Sequence, residues 1–304
     1  MPPLSSKRMH LDQETILASA HAHIKNIPDL MLQAETIVNA IVSDGLHTHK
    51  QAGPGENFWQ FRPYEPQDRP QDIDWRQSAK NDGLYIRDKE KQNAQTVYIW
   101  CANSPSMEYQ SDNKHPTKQN TAHLLCLCLA LLIIRKYDKV AILGSNLKPS
   151  SSLQSLHKNA EYLRNAELQA IDTIDQHGIS KNSTVICIGD FLEDTTFINN
   201  GLSSLSHIKN TCHLVQILDP AEITLPFEGR ITFQDSAHTP ITTVDHVGSI
   251  RDAYQTRMQE HINALKHMCE QQTWLYHLVQ THEMIIDPLL KIWMDLTQNT
   301  QRNR

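Results

Sequence analysis

Apolar and polar positions alternate along this chain in two rhythms. From about residue 12 to 44, apolar residues recur at helical spacing (Ile16, Leu17, Ala20 and Ile24, then Leu30, Leu32, Ile37, Val38, Ile41 and Val42), with Pro28 between the two groups. This spacing predicts two N-terminal helices. Gly45 and Gly53-Pro54-Gly55 mark a loop after them. Further on, short runs rich in Val, Ile and Leu (Thr96 to Cys101, Lys139 to Leu143, Thr184 to Ile188, His213 to Leu218) are separated by longer helical patterns (Thr121 to Lys136, about Asn159 to His177, Thr195 to Lys209). Strands alternating with helices predict βαβ units. The strands are nearly continuous in apolar character, as expected for a mostly parallel sheet covered on both faces. The fold class read from this is α/β, doubly wound, with Thr96 to Cys101 as a central strand. Beyond Leu218 the pattern predicts a loop through Asp219-Pro220 and Leu225-Pro226. A hairpin around Arg230 to Phe233 and Ile241 to Val244 follows, then a long amphipathic helix from Val247 to about Gln271 and a helical tail. The resulting division is 1–93 for the N-terminal helices and a polar-aromatic segment, 94–220 for the α/β domain, and 221–304 for a C-terminal extension.

Composition sets limits on this picture. A chain of 304 residues, 39% of them hydrophobic, can bury a substantial core. Leu124 to Ile134, the longest apolar run, is too short to cross a bilayer and reads as a helix buried against the sheet. The opening residues carry no apolar secretory core, so a cytoplasmic location is expected. A net charge of −6 gives no basic footprint for nucleic acid. Six cysteines, none in a C-x-x-C pair, read as small core residues. Seventeen histidines include the pairs His21/His23 and His47/His49, but neither has the helical spacing or the accompanying ligands of a zinc clamp.

The most distinctive chemistry lies between Phe58 and Asp112. Arg62, Tyr64, Pro66, Asp68, Asp74, Trp75, Arg76 and Arg87 crowd one short span, and the strand Thr96 to Cys101 then runs into the turn Ala102-Asn103-Ser104-Pro105-Ser106. The R-x-Y-x-P-x-D…I-D-W run followed by an α/β pattern resembles the bacterial DUF58 family, whose core is a von Willebrand factor A-like domain. The D-P-x-E-x-x-L-P spacing from Asp219 and the Arg251-x-x-Tyr254 helix start resemble the same family, so the likeness runs from about Ala52 to Gln271.

The resemblance implies a site at the carboxyl ends of the strands, where A domains hold a divalent cation on a D-x-S-x-S turn, a threonine and a later aspartate. Here Ser104 and Ser106 match the serines and Asp190 matches the later aspartate, but Ala102 stands in place of the leading carboxylate and no threonine can be assigned. Such a degenerate site would hold hydrated Mg²⁺ weakly at most, because ligand charge is the main compensation for dehydrating the ion. An Ala102→Asp substitution is expected to create or strengthen cation binding. Structural readings of the same residues are that Ser104 and Ser106 cap the following helix or turn, and that Asp190 caps the helix beginning near Thr195 or pins the switch-point loop. For Arg62, Tyr64, Asp68, Asp74, Trp75 and Arg76 two readings stand: a clasp of Arg–Asp pairs with Trp75 buried, or a surface that docks a partner.

The sequence carries no G-x-S-x-G elbow and no phosphate-cradling glycine loop, so a catalytic role is not expected. The resemblance implies a non-catalytic adaptor or scaffold. It would work with a MoxR-type AAA+ ATPase in the assembly or maturation of a client complex, with peripheral association at the cell envelope. The competing class is a metal-dependent hydrolase using Ser104, Ser106 and Asp190.

Overall fold

The computed structural model describes residues 27–43, 58–64, 73–80, 83–89, 94–166, 171, 178–206, 211–233 and 242–302. The first expected helix, the loop at 44–57, both histidine pairs and Asp68 lie outside them. The second expected helix is α1, Ile27–Ser43, with Pro28 in its first turn, where the missing N–H costs nothing.

The chain forms two compact units, 42–94 and the remainder. In the smaller unit, β1 (Phe58–Pro63) pairs antiparallel with β2 (Tyr85–Lys89), and the short helix α2 (Trp75–Ser78) lies between them in sequence. Backbone groups of the signature tie this unit together. The Asp74 N–H donates to the Tyr85 carbonyl at 2.9 Å, the Ser78 hydroxyl donates to the Asp74 carbonyl at 2.8 Å, and the Tyr85 N–H donates to the Ser78 hydroxyl at 2.9 Å. The expectation of a buried Trp75 fails: its side chain is 65% exposed, and Arg76 is exposed beside it. In α2 it is Ile73, just before the helix, that is buried, so the apolar anchor of this turn is the isoleucine and not the indole. Tyr64 and Asp74 are half-buried, and the side chain of Arg62 lies outside the described residues.

The larger unit is built on a five-stranded sheet in the order β4 (Lys139–Ile142), β3 (Thr96–Cys101), β5 (Thr184–Gly189), β6 (Thr211–Leu218), β9 (Leu275–Gln280), with every neighbouring pair parallel. β3 is interior, and its residues from Val97 onward are buried, as its apolar run requires. The helix after it, α3 (Lys118–Arg135), is buried around nearly its whole circumference. It packs against β3 to β6 and against α4 (Leu153–Asn165) and α8 (Ile286–Arg302), and this all-round cover explains why its sequence is apolar all round. The helix α5 (Thr195–Ser206) packs against α7 (Arg251–Gln271). Right-handed crossovers place these two on the face opposite α3, because β3 to β4 and β5 to β6 run in opposite directions along the sheet. The architecture is the A-like, doubly wound α/β type. β7 (Ile231–Phe233) and β8 (Thr242–Val244) form the expected hairpin, joined to β6 through the short helix α6 (Pro220–Thr224).

The boundary expected at 220 is corrected by β9. Residues 275–280 add the fifth strand, register-matched from His213↔Leu275 to Leu218↔Gln280, and the chain from 95 to 304 is one unit. The segment LYHLVQ buries only His277 and Val279, so its edge position leaves an alternating polar text that does not read as a core strand.

All six cysteines are buried free thiols, and burial pushes Cys101 up to about 12, consistent with their role as core residues.

Candidate functional site

Strand order reverses at β3: β4 lies on one side of it, and β5, β6 and β9 lie on the other. The crevice at the carboxyl ends of β3 and β5 is therefore the switch point of the fold, the place where doubly wound sheets bind their ligands. Its walls come from the turn after β3, the turn after β5, the start of α3 and the start of α6.

The two strand ends meet closely. Ala102 is buried, and its N–H donates to the Ile188 carbonyl at 2.7 Å. A β-carbon built on Gly189 would lie 2.9 Å from that of Ala102 and 3.3 Å from the Phe191 ring. Gly189 is thus the residue that lets the β3 and β5 turns approach. Gly189→Ala is expected to destabilise the protein by about 1–3 kcal/mol, because Ala102 is fixed by its backbone and has nowhere to retreat. Urea unfolding of that variant checks it, and an unchanged midpoint would mean that the turns separate freely.

Beyond Gly189 the chain turns sharply. Phe191 adopts a left-handed conformation (φ 47°), which costs a non-glycine residue about 1–2 kcal/mol. Two side chains hold the turn: the Gln216 amide donates to the Asp190 carbonyl at 2.8 Å, and His261 Nε2 lies 2.6 Å from the Phe191 carbonyl. Asp190 is buried and does not cap the next helix. That role belongs to Asp194, whose carboxylate accepts from the Thr196 N–H at 2.8 Å. These hydrogen bonds to Thr196 draw the Asp194 carboxyl below its ordinary range.

Asp190 instead meets Lys118. The lysine Nζ lies 2.9 Å from Asp190 Oδ2 and 2.6 Å from Glu222 Oε1, and the Lys118 side chain has no solvent exposure at all. It also sits 5.9 Å from the centroid of the Tyr109 ring, within cation–π range. Glu222 is held in turn by α6. Its other oxygen accepts from the Asp219 N–H at 2.9 Å, while the Asp219 carboxylate accepts from Ala221 N–H at 2.8 Å and from Ser111 N–H at 3.0 Å. This capping box is the physical content of the Asp219-Pro220-x-Glu222 spacing. The Arg251-x-x-Tyr254 pattern closes the same assembly. Arg251 donates to the carbonyls of Leu225 and Phe227 at 3.0 and 2.8 Å, and the Tyr254 hydroxyl donates to that of Glu222 at 2.7 Å. Burial pushes the Glu222 carboxyl above its ordinary range against the downward pull of Lys118, and burial likewise raises Glu193 at the rim.

Ser104 and Ser106 lie beside this network, their hydroxyls 2.8 Å apart and hydrogen-bonded to each other. Ser104 precedes the 3₁₀ turn Pro105–Glu108 in the N-cap position, but its side chain makes no capping bond; only its carbonyl does, accepting from Met107 N–H at 2.9 Å. The fold therefore brings Ser104, Ser106 and Asp190 to the same end of the sheet, as the sequence matching requires.

The divalent ion implied by the family pattern does not fit these residues. The position of the first carboxylate is an alanine, and the one matched aspartate already carries an ammonium. An ion bound about 2 Å from Asp190 Oδ2 would lie within about 5 Å of Lys118 Nζ, a repulsion on the order of 6–7 kcal/mol at an effective dielectric of 20. Ala102→Asp alone leaves that ammonium in place, so the single substitution is not sufficient to free Asp190.

Motif matching missed Lys118, and it found Glu222 only as part of the Asp219-Pro220-x-Glu222 spacing, without a place in the site. One signal was present: a lysine in the first turn of a long apolar helix opposes the helix dipole, so something else must hold it there.

A family model described as "Protein of unknown function DUF58" matches residues 60–264. That span includes the signature turn, both serines, Lys118, Asp190, Glu222 and the Arg251/Tyr254 pair. Among curated proteins no match is found. Solved structures with a similar arrangement include an aerotolerance-related membrane protein from Bacteroides fragilis carrying multiple mutations to serines (15% identity, 67% of this chain and 100% of that one, TM-score 0.42). Others are the conserved hypothetical protein BatB from Bacteroides thetaiotaomicron (13%, 68% and 100%, 0.43) and the VWA domain of SpRpn10 (8%, 64% and 94%, 0.36). Among the described residues no helix is long and apolar enough to cross a membrane. With more than half of its length matched by that model, this chain belongs to the DUF58 family.

Proposed function

We propose that this protein is a non-catalytic adaptor or scaffold that works with a MoxR-type AAA+ ATPase in assembling or maturing a client complex. In this reading it acts from the cytoplasm, with peripheral association at an envelope complex. The observation that carries this reading is the state of the crevice. Its carboxylates are held by Lys118 and by backbone N–H groups, and its serines are held by each other. A serine nucleophile needs a base hydrogen-bonded to its hydroxyl, and a general acid or base needs a proton that it can exchange. The rim, in contrast, is suited to contact: Leu192, Phe197 and Tyr109 are each 37% exposed around the buried charges. Exposed apolar side chains at the ligand-binding end of a sheet offer a surface that a partner can bury.

The test is co-purification of the tagged full chain from its native cell, followed by reconstitution with the ATPase recovered. Leu192→Asp together with Phe197→Asp is expected to reduce ATPase retention on the order of tenfold or more, in the range of interface hot spots, while leaving the unfolding midpoint nearly unchanged. Retention of the ATPase unaffected by these charges would remove the crevice rim from the interface. The competing reading, a metal-dependent hydrolase on Ser104, Ser106 and Asp190, makes the opposite forecast. Screening against ester and phosphoester substrates with added divalent ions would then give turnover that Ser104→Ala abolishes.

A further inference from the structure

We propose that Lys118 is the resident cation of the switch-point crevice: its ammonium takes the place of a divalent ion, and the carboxyl-end face of the sheet is organised without any metal. The inference stands on the ion network alone and does not need the adaptor reading. An ammonium offers three N–H donors to its surroundings. Here two are met by the carboxylates of Asp190 and Glu222, and the Tyr109 ring faces the same charge.

These three partners come from three separate elements: the turn after β5, helix α6 and the turn after β3. A cation at the centre of such a set does what a structural metal does, which is to fix the relative positions of segments far apart in sequence. The tether makes the difference. A lysine delivered from α3 is present at unit stoichiometry and cannot be chelated. It also carries one charge, so one full carboxylate partner and a second in a desolvated setting suffice, where a divalent ion would call for more negative charge. With alanine at 102, the carboxylates that meet at this end of the sheet match the single charge of an ammonium better than the two charges of a divalent ion.

Removing the tethered charge should uncover the site it occupies. Lys118→Ala leaves Asp190 and Glu222 facing a space the size of the lost side chain, with Ser104 and Ser106 at the same sheet end, whereas Lys118→Met fills that space with an apolar chain. The full-length protein and both variants are titrated with MnCl₂, followed by the paramagnetic signal of free Mn²⁺, and their unfolding midpoints are compared in chelator and in millimolar MnCl₂. Wild type is expected to show no saturable Mn²⁺ binding and no midpoint shift. Lys118→Ala is expected to be destabilised in chelator, to bind Mn²⁺ saturably on the order of tenfold or more tighter than wild type, and to regain stability with the ion. Lys118→Met is expected to be destabilised and unresponsive, and adding Asp190→Asn to Lys118→Ala should abolish the response. Stoichiometric Mn²⁺ binding by wild type that Asp190→Asn removes would overturn the proposal. So would a Lys118→Ala protein that neither binds nor is stabilised by the ion, whether it folds in chelator or not.

Discussion

Lys118→Met is expected to destabilise the protein by about 3–5 kcal/mol at neutral pH, the cost of leaving buried carboxylates without their counter-charge. The opposing gains are smaller. Methionine keeps most of the packing volume, and losing a cation from the first turn of α3 relieves an unfavourable dipole interaction of about 0.3–1 kcal/mol. The electrostatic loss wins because Lys118 has no solvent exposure and serves Asp190 and Glu222 together, so water cannot take over either pair. Glu222 already titrates high because it is buried, and without the pull of Lys118 it is expected to titrate higher still. Protonation then relieves part of the damage, so the difference from wild type should shrink as the pH is lowered through the range where Glu222 takes up its proton. Asp190→Asn should cost less, about 1–3 kcal/mol, since Lys118 keeps Glu222. The double variant should fall short of the sum of the two, because the residues share one network. Urea unfolding of the four proteins measures all of this. A Lys118→Met change below about 0.5 kcal/mol would mean that the ammonium is solvated and that the crevice is open.

The parts of the molecule that were legible in sequence are those where burial on both faces leaves a one-letter record. Val97 to Cys101, Val185 to Ile188 and Cys212 to Leu218 are buried along their whole length, and their apolar runs announced a covered parallel sheet. α3 is hydrophobic all round because it is covered all round. β9 was hidden for the converse reason: an edge strand with one covered face shows two buried residues among polar ones, which a helical tail could equally supply. At the site, matching by type found Ser104, Ser106 and Asp190, because hydroxyls and carboxylates are what a metal turn is made of. It passed over Lys118, because a lysine is read as solvated unless its partners are known, and those partners are 72 and 104 residues away in sequence. Trp75 shows the limit of reading composition as packing: an indole amid paired charges was expected to be buried and is a surface residue.

Acidification should unfold this protein from within its sheet. His213 on β6 and His277 on β9 are buried with their ring planes 3° from parallel and 5.5 Å between centroids, edge to edge, and His213 Nδ1 lies 3.2 Å from His277 Nε2. That contact requires one nitrogen to donate and the other to accept, so at least one ring must be neutral. Burial, and then the neighbouring ring, brings His213 down to about 3. Burial brings His277 down to about 4 despite the upward pull of Asp295, whose carboxylate is 3.9 Å away, and burial alone brings His123 in α3 down to about 4. All three folded values lie below the unfolded value of about 6.5, so the unfolded chain takes up these protons first. The associated stability is complete above pH 6.5 and is lost as the pH falls through 6 and 5 towards 4 and 3. Each neutral histidine contributes a slope of about 1.4 kcal/mol per pH unit in that window. The raised carboxyls of Glu222 and Glu193 act in the opposite sense and offset part of the slope, because the folded state gains those protons first. A net loss of several kcal/mol by pH 5 is expected, a large share of the ~5–15 kcal/mol that holds a domain together. Denaturant unfolding at a series of pH values from 7.5 downward measures the slope, and His213→Asn should lower it by about one proton's worth. A stability that stays level between pH 6.5 and 5 in wild type would show that the paired rings accept charge in the folded state, and that β9 can part from β6 to let water reach them.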